Sequence, residues 1–272
     1  MLKDITLGQY YPVKSRIHEM DPRVKLIATL IYIISLFIFN NVAGFILATL
    51  FLIIIIKISK VPFSFMVKGL KTLVFLMLFT AVLNAIFTPG DEIFHIWKIV
   101  ITWQGVRAAL MMLIRLSYLV IGTSVMTLTT TPNRLTDGLE TLLRGLNHIK
   151  VPVHEIAMMM SIALRFIPIL VEETDKIMKA QMARGADFES GGLIKRAQNM
   201  VPLLVPLFIS AFRRANDLAL AMESRCYMGG AGRTKMKPLK YSSNDYKAYA
   251  FIWIYLALMI VARLFLTTPW GF

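Results

Sequence analysis

Leu164-Arg165-Phe166-Ile167-Pro168-Ile169-Leu170, followed by Ala180-Gln181-Met182-Ala183-Arg184-Gly185, makes a statement that the chain then repeats. The second version is Val205-Pro206-Leu207-Phe208, then Phe212-Arg213-Arg214-Ala215 and Ala221-Met222-Glu223-Ser224-Arg225-Cys226. Each version is an apolar segment holding a proline, then a helical run, then an arginine between small residues. The two terminal arginines lie 41 positions apart. An arginine in the last turn of a helix complements the negative end of the helix dipole, and a following glycine is a common terminator. Capping accounts for one such ending. Two long helices that both finish in small-Arg-small point instead to docking, because small neighbours leave the guanidinium fork open to a partner's carboxylate.

The surroundings of this stretch are apolar and basic. Hydrophobic residues make up 57% of the chain, and 30 basic residues face 16 acidic ones. A soluble domain does not carry that much apolar surface, and long apolar spans interrupt the basic residues, which excludes a nucleic-acid-binding protein. The reading is an all-α membrane protein with about five transmembrane helices and a cytoplasmic region of long amphipathic helices. The expected spans are 26–40, 44–57, 70–88 and 108–130 in an N-terminal membrane domain (1–130), with a last one in the C-terminal segment 241–272, at about 248–266. A turn at Asn40-Asn41 joins the first two. His95 to Trp103, with Trp97 and Trp103 as interfacial anchors, reads as a helix lying on the membrane surface. Cytoplasmic helices are expected at 134–148, 152–185 and 193–228 within 131–240, with Pro152 opening the second, Gly191-Gly192 breaking the chain, and Pro202 and Pro206 kinking the third. The apolar stretch 200–212 is too short to cross a bilayer.

Charge orients the chain. Five Lys and Arg precede Leu26, four lie between Lys57 and Lys71, and seventeen lie between Thr131 and Lys247: twenty-six of thirty on one side. That side is cytoplasmic by the positive-inside rule, so the N-terminus is expected inside and the C-terminus outside. No cleavable leader is expected. The single Cys226 fits a reducing compartment. His18, His95, His148 and His154 lack metal-ligand spacing and read as surface or interfacial residues. Arg115, the one deep charge in a span, reads as a structural residue that snorkels.

Ser15-Arg16-Ile17-His18-Glu19-Met20-Asp21-Pro22-Arg23-Val24-Lys25-Leu26 resembles the N-terminal signature of the T component of energy-coupling factor transporters. Leu164 to Leu170, Ala180 to Gly185, Pro206 to Ala215 and Ala221 to Tyr227 resemble that family's two coupling helices with their Ala-Arg-Gly motifs. The resemblance covers nearly the whole chain. It implies a scaffold in the bacterial cell membrane that joins two cytoplasmic ATP-binding-cassette ATPases to a substrate-binding integral-membrane S component, for uptake of a vitamin or metal ion. It implies that Ala183, Arg184 and Gly185, and Ser224, Arg225 and Cys226, dock the two ATPases. The helices bearing them would cross as an X and meet the S component on their membrane-facing side, with Met158, Met159, Met160, Leu164, Ile167, Leu203 and Leu207 as candidate contacts. ATP and magnesium would bind the partner ATPases, with no cofactor, metal or nucleic acid bound by this chain. Cys226 departs from the family's glycine, which puts a left-handed cap in doubt there. The methionines suit a surface that repacks and suit ordinary core filling equally.

The missing chemistry is consistent with a non-catalytic subunit. Gly229-Gly230-Ala231-Gly232-Arg233-Thr234-Lys235 has the wrong spacing for a phosphate-binding loop, and no nucleophile pattern is present. The alternatives are a stand-alone secondary transporter and, behind it, a membrane-bound enzyme. A secondary transporter typically repeats its transmembrane halves, whereas here the repeat lies in the cytoplasmic region.

Overall fold

A computed structural model of the chain describes residues 10–39, 41–96, 99–188, 192–230 and 234–265. Asn40, Trp97, Gly191, residues 231–233 of the glycine-rich loop and the end of the last expected span lie outside them. The chain divides into two compact units, one of Leu139–Pro238 and one of Gly8–Gly138 with Leu239–Phe272.

The second of these is a helical bundle. It comprises α1 (Arg16–Glu19), α2 (Pro22–Ile38), α3 (Val42–Ser59), α4 (Phe63–Phe87), α5 (Trp103–Thr129), the start of α6 (Pro132–Leu143) and α10 (Ser243–Phe265). Helix α5 packs along α4 and against α2 and α3, and α10 closes onto α2 and α3. Aromatic rings fill the centre: Tyr255 stacks on Phe51 at 4.1 Å, and Phe51 on Phe251 at 5.4 Å. Their polar tips are satisfied, as buried hydroxyls require. Tyr255 pairs with Ser35 at 3.0 Å, and Tyr32 donates to the Tyr118 carbonyl at 3.0 Å. The outside is equally apolar, with Phe75, Phe87 and Phe265 each more than three-quarters exposed. A surface of that kind is built for lipid.

Between α4 and α5 the chain forms two antiparallel strands, β1 (Glu92–Ile96) and β2 (Ile99–Thr102). This corrects the expected surface helix at 95–103. The run Ile99-Val100-Ile101-Thr102 is β-branched throughout, which favours a pleated strand over a helix.

Helices α3, α4, α5, α7 (Val153–Ala183) and α10 are long and apolar enough to cross a membrane. Helix α2, the first expected span, has 17 residues, one fewer than α3. Helix α7, expected at the membrane boundary, meets the length and composition.

The other unit carries the end of α6, a 3-10 turn at Arg144–Ile149, α7, α8 (Leu193–Asn199) and α9 (Val201–Glu223). The expected helix 193–228 is therefore two helices with a break at Met200. Pro202 sits in the first turn of α9, where a missing amide is harmless, so it starts a helix instead of kinking one. Pro152 caps α7 from the position before it, and Pro168 and Pro206 lie inside α7 and α9.

Candidate functional site: a paired-helix arm with two arginine tips

Helices α7 and α9 run antiparallel. Gln181 Nε2 donates to the Pro202 carbonyl at 3.4 Å, while Glu173 accepts from Ser210 and from Arg214, whose Nη2 lies 2.6 Å away. Moving forward along one helix moves the partner backward along the other. Glu173 and Arg214 are also 41 positions apart, the same interval that separates Arg184 from Arg225. A contact between repeat-equivalent residues of an antiparallel pair falls on the local pseudo-twofold axis. The ion pair therefore sits at the centre of the arm, and the two arginine motifs sit at its opposite ends. With α9 at 23 residues, the ends are separated by about 30 Å.

Both ends terminate in the same way. After α7, Gly185 N donates to Met182 O (2.9 Å) and Ala186 N to Gln181 O (3.0 Å); after α9, Cys226 N donates to Glu223 O (2.8 Å) and Tyr227 N to Met222 O (3.0 Å). These are matched Schellman endings. The left-handed residue is Gly185 at φ 90° in the first and Cys226 at φ 55° in the second. The cap survives without glycine, at a cost of about 1 kcal/mol for the side chain in that region. Cys226→Gly is accordingly expected to raise the thermal midpoint slightly without changing the helix ends, measured by thermal unfolding in detergent.

Arg184 and Arg225 are exposed, as are Ala183, Gly185, Ser224 and Cys226. Neither guanidinium makes a side-chain hydrogen bond or ion pair with a described residue. Of the other predicted contacts, Met159 and Met160 are exposed, and Met158, Leu164 and Ile167 are half-buried. Leu203 is buried and Leu207 half-buried. The outward apolar face of α9 is Leu204, Val205, Phe208, Ile209 and Phe212, which line a shallow groove.

Three clusters escaped the sequence reading. Glu140 on α6 accepts from His154 Nδ1 at 2.9 Å and Lys235 Nζ at 2.6 Å. Burial opposes its charge, but His154 and Lys235 outweigh this and hold the carboxyl below its ordinary range. In the bundle, Asp245 is buried and accepts from Asp21 N at 2.9 Å, Ser242 N at 2.7 Å and Ser242 Oγ at 2.8 Å. Ser242-x-x-Asp245 ahead of an apolar run is a capping-box pattern and could have been found. The third is the Glu173–Arg214 pair itself, legible from the 41-residue interval.

The N-terminal signature is structural. Ser15 caps α1 and pairs with His18 Nδ1 at 2.7 Å; Asp21 caps α2 and holds Arg23 at 2.7 Å. Arg23 lies 3.9 Å from the centre of the Tyr241 ring. His18, expected at a surface or interface, is buried, and burial lowers its pKa, with the Lys25 charge adding to the effect. Arg115 donates to the Phe39 carbonyl at 2.9 Å, satisfying a backbone acceptor at the end of α2, as a structural residue would.

Fold and site together define a multi-pass helical membrane protein bearing a polar-ended arm of two antiparallel helices. The family profile for CbiQ, described as cobalt transport protein, matches residues 13–236. The chain is 54% identical over 274 residues to the energy-coupling factor transporter transmembrane protein EcfT of Clostridium kluyveri, covering the full length of both. It is 52% identical to the protein of that name from Heliobacterium modesticaldum (90% of this chain, 92% of the relative) and 46% identical to that of Bacillus subtilis (97% and 100%). The chain belongs to the CbiQ family and is a transmembrane component of an energy-coupling factor transporter.

Proposed function

We propose that this chain is the scaffold of an importer. It transmits the ATP-driven motion of two cytoplasmic ABC ATPases to an integral-membrane S component that carries a vitamin or metal ion. ATP and magnesium bind the ATPases, and this chain catalyses nothing itself. The N-terminus is cytoplasmic and the C-terminus outside, in keeping with the one-sided basic charge. The observation that carries the reading is the pair of matched helix endings at opposite ends of one arm, each presenting an arginine whose guanidinium no described residue engages. Two separated, equivalent tips suit two ATPases, one per tip. Each guanidinium enters an acidic groove, and closure of the ATPase pair draws the tips together. The outward apolar face of α9 then shifts against the S component. Such an element has two arrangements, and nucleotide biases it.

Arg184→Glu and Arg225→Glu test this. A guanidinium desolvated at the centre of an interface is worth about 2 kcal/mol or more on truncation, and reversal costs further. Each substitution is expected to reduce copurification of one ATPase by at least about thirtyfold, with membrane insertion unchanged. If the double variant still assembles with both ATPases and supports ATP-driven uptake, the docking role is refuted. Uptake by liposomes holding this chain alone would favour the secondary transporter.

A further inference from the structure

The bundle formed by α2, α3, α5 and α10 encloses a cavity of about 260 Å3. Its depth is hydrocarbon and aromatic, with Tyr32, Phe51, Val125 and Ile252 in the walls. Its open end is cationic. Arg16 and Lys247 line it, are exposed, and make no ion pair with a described residue; Lys25 lines the wall nearby. No lining residue is a carboxylate.

Lys25 sharpens the asymmetry. It is 5% exposed, and its ammonium donates to the carbonyls of His18 (3.4 Å) and Thr129 (2.9 Å) and to Thr130 Oγ1 (3.3 Å). All three acceptors are uncharged. Of the carboxylates in its surroundings, Asp21 is committed to Arg23, and Asp245 to the amides of Asp21 and Ser242. Lys25 thus lines the same cavity as Arg16 and Lys247 and makes its hydrogen bonds to uncharged acceptors only, with Asp21 and Asp245 acting on its charge without contacting it.

We propose that this cavity takes one acyl chain of an anionic phospholipid, whose phosphate is held between Arg16 and Lys247. An apolar void of this size does not hold water well, and leaving it empty forfeits packing on every wall. In a bilayer the apolar filler at hand is a lipid tail. The lining selects its headgroup: two cations unpaired among the described residues and a buried third, with no carboxylate lining the site, favour a net negative lipid over a zwitterionic one. The inference rests on the chain being embedded in a membrane and not on the docking of Arg184 and Arg225, so either can fail alone.

The test uses the purified full-length chain in detergent, delipidated and then offered phosphatidylglycerol, phosphatidylcholine of the same acyl chains, or inorganic phosphate. Retained lipid is read by native mass spectrometry and stabilisation by thermal unfolding. Phosphatidylglycerol is expected to be retained and to raise the thermal midpoint, phosphatidylcholine to do so weakly, and phosphate not at all. Arg16→Gln and Lys247→Gln are each expected to weaken retention of phosphatidylglycerol about fivefold, and that of phosphatidylcholine, whose phosphate is offset by its own ammonium, by less. Ala248→Phe, which fills the cavity, is expected to block both lipids. Equal retention of the two lipids, a thermal shift reproduced by phosphate alone, or unchanged phosphatidylglycerol binding in the Arg16→Gln/Lys247→Gln double variant would each overturn the proposal. The last variant changes only exposed residues and decides the matter even if Ala248→Phe fails to fold.

Discussion

Asp245→Ala is expected to destabilise the bundle by about 3 kcal/mol or more and to leave little folded protein at growth temperature. Its carboxylate is 1% exposed and receives three donors: the backbone amides of Asp21 and Ser242 and the Ser242 hydroxyl. Alanine strands the buried Asp21 amide outright and removes the acceptor of both Ser242 donors, which lie nearer the surface. Each stranded buried donor costs about 1–3 kcal/mol, with the upper range reached when the lost partner was charged. Asp245→Asn is the informative companion. It keeps the shape and one acceptor oxygen but turns an amide NH2 toward a donor, so about half the loss is expected. Thermal unfolding of the detergent-solubilised chain measures both. A midpoint for Asp245→Ala within a degree of the parent would mean that the clasp between the N-terminal signature and α10 contributes nothing.

Glu173→Arg is expected to cut ATP-driven uptake by roughly five- to thirtyfold, and the exchange Glu173→Arg/Arg214→Glu to recover most of it. The pair is partly exposed, with Arg214 at 41% and Glu173 at 21% of their side-chain surfaces. Screening therefore limits the attraction to about 0.2–1 kcal/mol. Reversal replaces that attraction with a like-charge contact of similar size, so the change totals about 1–2 kcal/mol. What would give this modest energy a large readout is its position, because the pair sits midway between the two arginine tips. The measurement is a double-mutant cycle on transport rates, with assembly checked in parallel. Non-recovery in the exchanged variant, with assembly intact, would show that the charges act separately.

The helical membrane architecture was legible because hydrophobic runs, breaks and basic flanks are local signals. The spans at 44–57, 70–88 and 108–130 correspond to α3, α4 and α5, each several residues longer in the structure, because residues such as Ser59, Ser64, Lys68, Gln104 and Arg107 extend a helix without adding apolarity. The arginine motifs were legible because they repeat. What escaped reading was long-range. Nothing local announces that Asp245 meets an amide 224 residues away, or that Lys25 reaches the end of α5. The hairpin at 92–102 was missed because a short apolar run has no decisive period, and its β-branched content was the available arbiter. Cys226 was misjudged in the opposite direction. The hydrogen bonds of the ending hold a left-handed residue in place even where the side chain resists it.

The bundle is assembled from two pieces of chain separated by the whole of the arm. Ile252, Tyr255 and Met259, near the C-terminus, complete a core begun by Tyr32 and Leu36, and Asp245 completes the cap begun at Asp21. During synthesis the early helices must therefore enter the bilayer with a vacant flank and wait while about a hundred residues of polar-tipped arm leave the ribosome. Only the final thirty or so residues seal that flank, so a nascent chain truncated before α10 would present an unfinished groove to the insertion and quality-control machinery.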